Sequence, residues 1–192
     1  MKLVILDRDG TINSDSDDFV KTPEEWMPLP GALEAIARLN HAGWHAVIAS
    51  NQSGLGRGLF DVASLNAMHA KMHKMLAAVG GRIDAVFYCP HSPEESCNCR
   101  KPLPGLFEQI GERFGVQLSG VPTAGDSVRD LQAGAAAGCK PHLILTGKSA
   151  QYRAGGLPEG LPAGTVTHHD LTAFVDFILE RSDPCLHEAL LK

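Results

Sequence analysis

The chain has 192 residues, of which 44% are hydrophobic and 20% charged. That length fits one domain, 1–192, and the composition is globular rather than disordered. Lys and Arg number 17 against 22 Asp and Glu, a net charge of −5 that argues against nucleic-acid partners and, at the scale of the whole chain, against anionic ligands.

Short apolar runs alternate with helical patterns. Leu3 to Leu6 reads as a buried strand. A helix follows Pro30-Gly31, with Leu33, Ile36, Ala37 and Leu39 on one face, and Trp44 to Ala49 is a second strand ending at Ser50-Asn51. Asp61 is placed to cap a long helix carrying Leu65, Met68, Met72, Met75 and Val79 at helical spacing. Ile83 to Tyr88 is a third strand, and Leu106 to Phe114 a helix closed by Gly115. Val121 to Gly125 is a strand, Val128 to Ala137 a helix stopped by Gly138, and His142 to Leu145 a fifth strand. Gln151 to Gly164, rich in Gly and Pro, is expected to be an exposed loop, and Leu171 to Glu180 a packing helix. Such alternation predicts an α/β fold: a doubly wound, mostly parallel sheet whose ligands bind beyond the carboxyl ends of the strands.

No apolar run reaches the ~20 residues of a membrane span, and the start of the chain meets Asp7 too early for a secretory segment. A cytoplasmic location with no membrane partner is therefore expected. In that reducing setting the five cysteines are ligands or core rather than disulfides.

Three chemically loaded segments fall at predicted strand ends: Asp7-Arg8-Asp9-Gly10-Thr11, Ser50-Asn51-Gln52-Ser53-Gly54 and Gly125-Asp126-Ser127. Asp7 and Asp9 lie on one side of an extended segment, where two carboxylates repel and call for a cation or a shared proton. Magnesium, a hard ion held by carboxylates and substrate phosphate, suits them; an Asp-Gly turn without chemistry is the plain alternative.

Together these segments resemble the four motifs of the haloacid dehalogenase-like phosphatases. Asp7 to Ile12 is similar to the first motif, Ser50-Asn51 to the second, Lys101 to the third, and Gly125-Asp126-Ser127 with Asp130 to the fourth. The resemblance implies that Asp7 attacks phosphorus and that Asp9 protonates the leaving oxygen and later activates water, with Thr11 orienting Asp9. It implies that Ser50 and Asn51 bind the phosphoryl group, with Gln52 and Ser53 as further substrate-binding residues, and that Lys101 neutralises it while holding Asp7. Magnesium is implied at the Asp7 carboxylate, the Asp9 backbone carbonyl and Asp126, with Asp130 behind them.

Cys89, His91, Cys97 and Cys99 place three thiols and one imidazole in one loop, 89–102. Four such ligands suit a closed tetrahedral zinc site; chance pairs, or a redox pair at Cys97 and Cys99, are the other readings. A zinc there would fix the direction of Arg100 and Lys101.

The loop is similar to that of the zinc-loop branch, which contains heptose-bisphosphate and histidinol-phosphate phosphatases. Asn51-Gln52-Ser53-Gly54 with Arg57-Gly58, and Cys99-Arg100-Lys101-Pro102, resemble the heptose-bisphosphate group; the short His91–Cys97 spacer resembles the histidinol-phosphate group. The resemblance implies a small phosphorylated sugar as substrate, in a precursor step of lipopolysaccharide heptose, with histidinol phosphate as the alternative. A zinc-stabilised binding module without turnover is the non-enzyme alternative. Arg100 is then the candidate for a second, remote phosphate. Asp15 and Asp18 are candidate contacts to sugar hydroxyls, or part of a solvated acidic loop; Arg57 touches substrate or faces solvent. The intervals between Thr11 and Gly31, and between Gly54 and Cys89, leave no room for a cap domain, so short loops select the substrate of an expected monomer.

His69 and His73, four apart on the long helix, are read as packing or solvent-facing, and Cys139 as buried. No role or partner is readable for Cys185 or for His168-His169.

Overall fold

In the computed structural model, which describes residues 1–182, six strands form one sheet in the order β3-β2-β1-β4-β5-β6. The strands are β1 (Lys2–Leu6), β2 (Trp44–Asn51), β3 (Ala85–Cys89), β4 (Pro122–Gly125), β5 (Lys140–Ile144) and β6 (Val166–His168). The helices are α1 (Ala32–His41), α2 (Ser53–Gly56), α3 (Val62–Ala78), α4 (Gly105–Phe114), α5 (Val128–Ala136) and α6 (Leu171–Ser182), with a 3₁₀ helix over Gly147–Ala154. Every strand pairing is parallel, so the expected mostly parallel sheet is wholly so.

Alternation along β1 divides the core. Val4 and Leu6 point to the face covered by α1, α3 and α6, where they meet Ile36, Leu39, Met68, Met72 and Phe174. Leu3 and Ile5 point to the other face, against Leu106, Phe107 and Ile110 of α4 and Ala133 of α5. Both faces are covered, which is why the strands read as continuous apolar runs. Asp61 caps α3 by accepting from the Ser64 backbone at 2.8 Å, and α4 ends on left-handed Gly115 at φ 62°.

Several boundaries differ from the periodicity. β2 runs on through Ser50 and Asn51, and β3 begins at Ala85 rather than Ile83. β5 starts before Pro141, at Lys140. Within the expected 151–164 loop, the first residues close a 3₁₀ helix. The sequence reading omits α2 and β6, of four and three residues, because elements so short carry no periodicity. The interval between Thr11 and Gly31 is irregular chain around the fully buried Trp26; that between Gly54 and Cys89 holds only the end of α2, α3 and β3 up to its last residue. Among the described residues neither forms a cap domain. No helix among them is long and apolar enough to cross a membrane. Cys185 lies outside the described residues.

The sheet order reverses between β1 and β4, the strands whose ends carry Asp7 and Asp126. Such a switch point leaves a crevice outside the carboxyl ends of the strands, and the site occupies it.

Candidate active site

Asp7 leaves β1 with its backbone N–H donating to Ala124 of β4 at 2.8 Å, which aligns the two strand ends. Lys101 reaches the same point from the 89–102 loop. Its buried ammonium donates to Asp7 Oδ1 at 2.6 Å and to the Ala49 carbonyl at 2.7 Å, and pairs with Asp130 Oδ1 at 2.6 Å. Three donors meet three acceptors. The expected double role of Lys101 is thereby narrowed: it holds Asp7 and Asp130, and no N–H is left over for a direct hydrogen bond to a ligand.

Asp7, Asp126 and Asp130 offer carboxylate oxygens within 4.8 Å of one another. Asp130 is saturated, because its second oxygen accepts from the Ser127 backbone N–H at 3.0 Å and hydroxyl at 2.6 Å. The pairing with Lys101 outweighs burial and holds the Asp130 carboxyl below its ordinary range. Burial, and then the Asp130 charge, push Asp7 up to about 7 and Asp126 up to about 8. Three carboxylates against one ammonium leave a deficit of two positive charges, which one divalent cation answers. Hard oxygen donors and that charge fit magnesium at Asp7 and Asp126, with Asp130 behind them. Glycine makes the packing possible: a Cβ at Gly10 (φ +83°) or Gly147 (φ +45°) would run into the Asp126 carboxylate. The Lys148 backbone N–H, one residue on, binds Asp126 Oδ2 at 2.7 Å.

Asp9 sits apart from this cluster. The fully buried Arg8 donates to both its oxygens, at 2.9 Å each from Nη2. Asn13 Nδ2 adds a bond at 2.9 Å and Gln52 Nε2 one at 2.8 Å. Burial alone would raise the Asp9 carboxyl, but Arg8 and these amides hold it below its ordinary value. The expectation that Thr11 orients Asp9 is corrected: among the described residues the buried Thr11 hydroxyl has no hydrogen-bond partner, and Asn13 and Gln52 hold Asp9. The signal for Asn13 was present, a buried-looking amide two residues after Thr11, but its reach to Asp9 depends on a turn back onto β1. His69 is anchored, not solvent-facing: its Nε2 lies 3.3 Å from Arg8 Nη1, and burial followed by the Arg8 charge lowers it to about 4.

Ser50 is buried beside Gln52, whose Nε2 donates to its hydroxyl at 2.8 Å. The Asn51 amide clamps the Lys101 backbone in both directions, at 3.1 and 3.0 Å, so most of its hydrogen bonding is spent on placing Lys101.

Cys89 Sγ lies 3.4 Å from His91 Nδ1 and 3.8 Å from Cys97 Sγ, and Cys99 Sγ lies 3.3 Å from the same imidazole nitrogen. Zinc bonds of ~2.3 Å to sulfur and ~2.0 Å to nitrogen give tetrahedron edges of about 3.8 Å for S···S and about 3.5 Å for S···N. Three of the six separations match those edges, and all four ligand atoms lie within 4.8 Å of one another, which is compatible with a zinc tetrahedron. Burial, and then Cys99, push the Cys89 thiol up to about 12, a cost that a cation reverses.

Above the carboxylates lies a cavity of about 310 Å³, lined by Asp7, Asp9, Ser50, Asn51, Gln52, Ser53, Lys101, Asp126 and Asp130 at its floor. Asp15, Ser16, Asp17 and Phe19 form one wall, and Arg57, Arg100, Arg129 and Lys148 are the further cations. The structure thus brings nearly all the expected site residues together. Of the expected substrate contacts, Asp18 is the one outside the lining; Asp17, equally exposed, lines the cavity in its place. Arg129 and Lys148 escaped the sequence reading. Their signal is positional, since each is a cation within four residues of a strand's carboxyl end, on α5 and on the 3₁₀ helix.

His168 has a partner outside the site, His142, at 2.9 Å between ring nitrogens, and the pair packs on Phe174 and Phe177.

Residues 98–171 match the family described as "HAD-hyrolase-like". A D-glycero-beta-D-manno-heptose-1,7-bisphosphate 7-phosphatase from Bordetella bronchiseptica is 57% identical over 182 residues, covering 95% of this chain and 100% of that protein. The enzyme of the same name from Pseudomonas aeruginosa is 51% identical, over 93% of this chain and 98% of its own. The crystal structure of D,D-heptose 1,7-bisphosphate phosphatase from B. bronchiseptica, complexed with magnesium and phosphate, superposes with a TM-score of 0.90 at 57% identity, covering 94% of this chain and 99% of that one. With relatives this similar along nearly its whole length, and a carboxylate–lysine cluster at the switch point of its sheet, the chain belongs to the haloacid dehalogenase-like hydrolases and is a phosphatase of their heptose-bisphosphate group.

Proposed function

We propose that the chain is a magnesium-dependent phosphomonoesterase that removes the 7-phosphate of D-glycero-D-manno-heptose 1,7-bisphosphate through an aspartyl-phosphate. One observation carries this reading: an acidic floor with a lysine-anchored carboxylate, Asp7, faces arginines across one cavity. A bisphosphate has an anion for each end. Sequence relatives named for this substrate, at 47–57% identity, support the sugar.

A magnesium ion held by Asp7, Asp126 and the Asp9 backbone carbonyl supplies the positive charge that the floor lacks. In the first step an Asp7 carboxylate oxygen attacks phosphorus. The bond from phosphorus to the sugar oxygen breaks, its electron pair goes to that oxygen, and Asp9 supplies the proton. In the second step water attacks phosphorus, Asp9 takes its proton, and the bond to Asp7 breaks to release phosphate. Arg8 keeps the resting Asp9 ionised, the form the second step needs. A dianionic phosphoryl group nearby offsets the Arg8 field and favours the protonated form, which the first step needs. Ser50 binds the transferring group; Arg100, with Arg57 and Arg129, binds the remote phosphate; Asp15, Ser16 and Asp17 face the sugar hydroxyls. Burial, then Arg129, already push the Arg100 guanidinium below its ordinary value, a strain that an anion relieves. Zinc at Cys89, His91, Cys97 and Cys99 serves structure, holding the loop that delivers Arg100 and Lys101.

The test compares kcat/KM for heptose 1,7-bisphosphate, fructose 1,6-bisphosphate and histidinol phosphate with magnesium present. The heptose substrate is expected to lead, and a histidinol-phosphate preference overturns the assignment. Asp7→Asn is expected to fold and to lose turnover; phosphatase activity in that variant overturns the covalent route.

A further inference from the structure

We propose that Gln52 is a positioning residue for Asp9 rather than a substrate ligand, an inference that rests on the reading of Asp9 as the proton donor. Gln52 follows β2 and is 4% exposed. Its backbone N–H donates to the Cys89 carbonyl at 2.8 Å, which fixes where the side chain starts. The two hydrogens of its amide go to Asp9 Oδ2 and to the Ser50 hydroxyl, each at 2.8 Å. Its carbonyl accepts from Arg8 Nη2 at 3.2 Å. A glutamine amide has two hydrogens, so none is left for a substrate.

The arrangement has a directional consequence. A Ser50 oxygen that accepts from Gln52 turns its own hydrogen away, free to donate to a phosphoryl oxygen. The same amide fixes Asp9 Oδ2 and Asn13 fixes Oδ1, while Arg8 donates to both. Gln52 is therefore the spacer between the group that binds the phosphoryl and the group that moves the proton. Proton transfer to a leaving oxygen needs that spacing held to a fraction of an ångström.

A proton donor matters in proportion to the basicity of the leaving oxygen, which separates positioning from binding. The experiment measures kcat/KM for the magnesium-loaded full-length protein over a graded series of aryl phosphates, for the wild type, Gln52→Leu, Asn13→Ala and Asp9→Asn. Inorganic phosphate is titrated as a competitive inhibitor in parallel. Gln52→Leu is expected to steepen the leaving-group dependence, losing about tenfold or more at the poorest leaving group and under about threefold at the best. Its phosphate inhibition constant is expected to stay within about threefold of wild type. Asn13→Ala removes an Asp9 contact without touching Ser50; it is expected to show the same pattern, and it decides the matter if Gln52→Leu does not fold. A uniform loss across the series, or weaker phosphate inhibition with an unchanged slope, places the role of Gln52 in phosphoryl binding, directly or through Ser50, and overturns the proposal. A steep Asp9→Asn series beside a uniform Gln52→Leu loss overturns the Gln52 role alone; a flat Asp9→Asn series overturns the Asp9 reading and this inference with it.

Discussion

Lys101 shows how one buried charge organises a site. It is 2% exposed, and its ammonium is paid for by two carboxylates and a carbonyl. Removing it leaves Asp7 and Asp130 facing each other without compensation, and breaking a buried pair costs roughly 3–5 kcal/mol. Lys101→Met is therefore expected to lower the urea midpoint by that measure and to abolish turnover. A stable, folded Lys101→Met at pH 7 would contradict the pairing. The His142–His168 pair gives a second residue-scale prediction. Burial lowers His142 to about 3 and His168 to about 4. Unfolded histidines protonate near 6.5, so as pH falls from 6.5 towards 4 the unfolded chain binds more protons than the folded one and stability falls, by at most roughly 3 kcal/mol per histidine. Urea midpoints at pH 7.5 and 5.0, for the wild type and a His142→Leu/His168→Leu double variant, check this: the variant is expected to lose less on acidification. At this scale the sequence made Asp7, Asp9 and Lys101 visible as chemistry. It could not show that Thr11 lacks a partner while Asn13 has one, because those bonds depend on how the turn after β1 folds back.

At the scale of elements, the 89–102 loop couples two sites. Cys99 ligand geometry, the Arg100 contact to the His91 carbonyl at 3.3 Å and the Lys101 ion pairs occupy three consecutive residues. A zinc bound at Cys89, His91, Cys97 and Cys99, as proposed, would brace all three. Chelating zinc while keeping magnesium is expected to lower Tm and to raise KM for the heptose bisphosphate; unchanged values in a verified zinc-free sample would reject the coupling. The ligands were legible because they lie within eleven residues of one another, and spacing is a property sequence reports. The start of α5 was less so. Ser127 looked like part of a motif, and the structure adds that its N–H and hydroxyl tie down Asp130. Short β6 and α2 were missed because pattern needs length.

At the scale of the molecule, the sheet order puts β1 and β4 side by side with chain leaving in opposite directions, and the carboxylates meet in that crevice. No cap domain covers it among the described residues, so selection falls to the rim. Arg100→Met and Arg129→Met are each expected to raise KM for the heptose bisphosphate by about tenfold, a loss of ~1.4 kcal/mol, and to change kcat/KM for p-nitrophenyl phosphate by under about threefold. Equal losses on both substrates would remove the remote-phosphate role. The net charge of −5 is the wrong scale for judging an anionic ligand, since Arg57, Arg100, Arg129 and Lys148 line a single cavity. The sequence by itself determined the mostly parallel sheet, the ordered carboxylates and the clustered Cys and His of the 89–102 loop, because apolar periodicity and residue spacing are local. Only the tertiary structure decided the pairings: Lys101 with Asp7 across 94 positions, Gln52 with Arg8 across 44, His142 with His168 across 26. Those bonds depend on distance in space, and strand order, which local pattern does not encode, sets that distance.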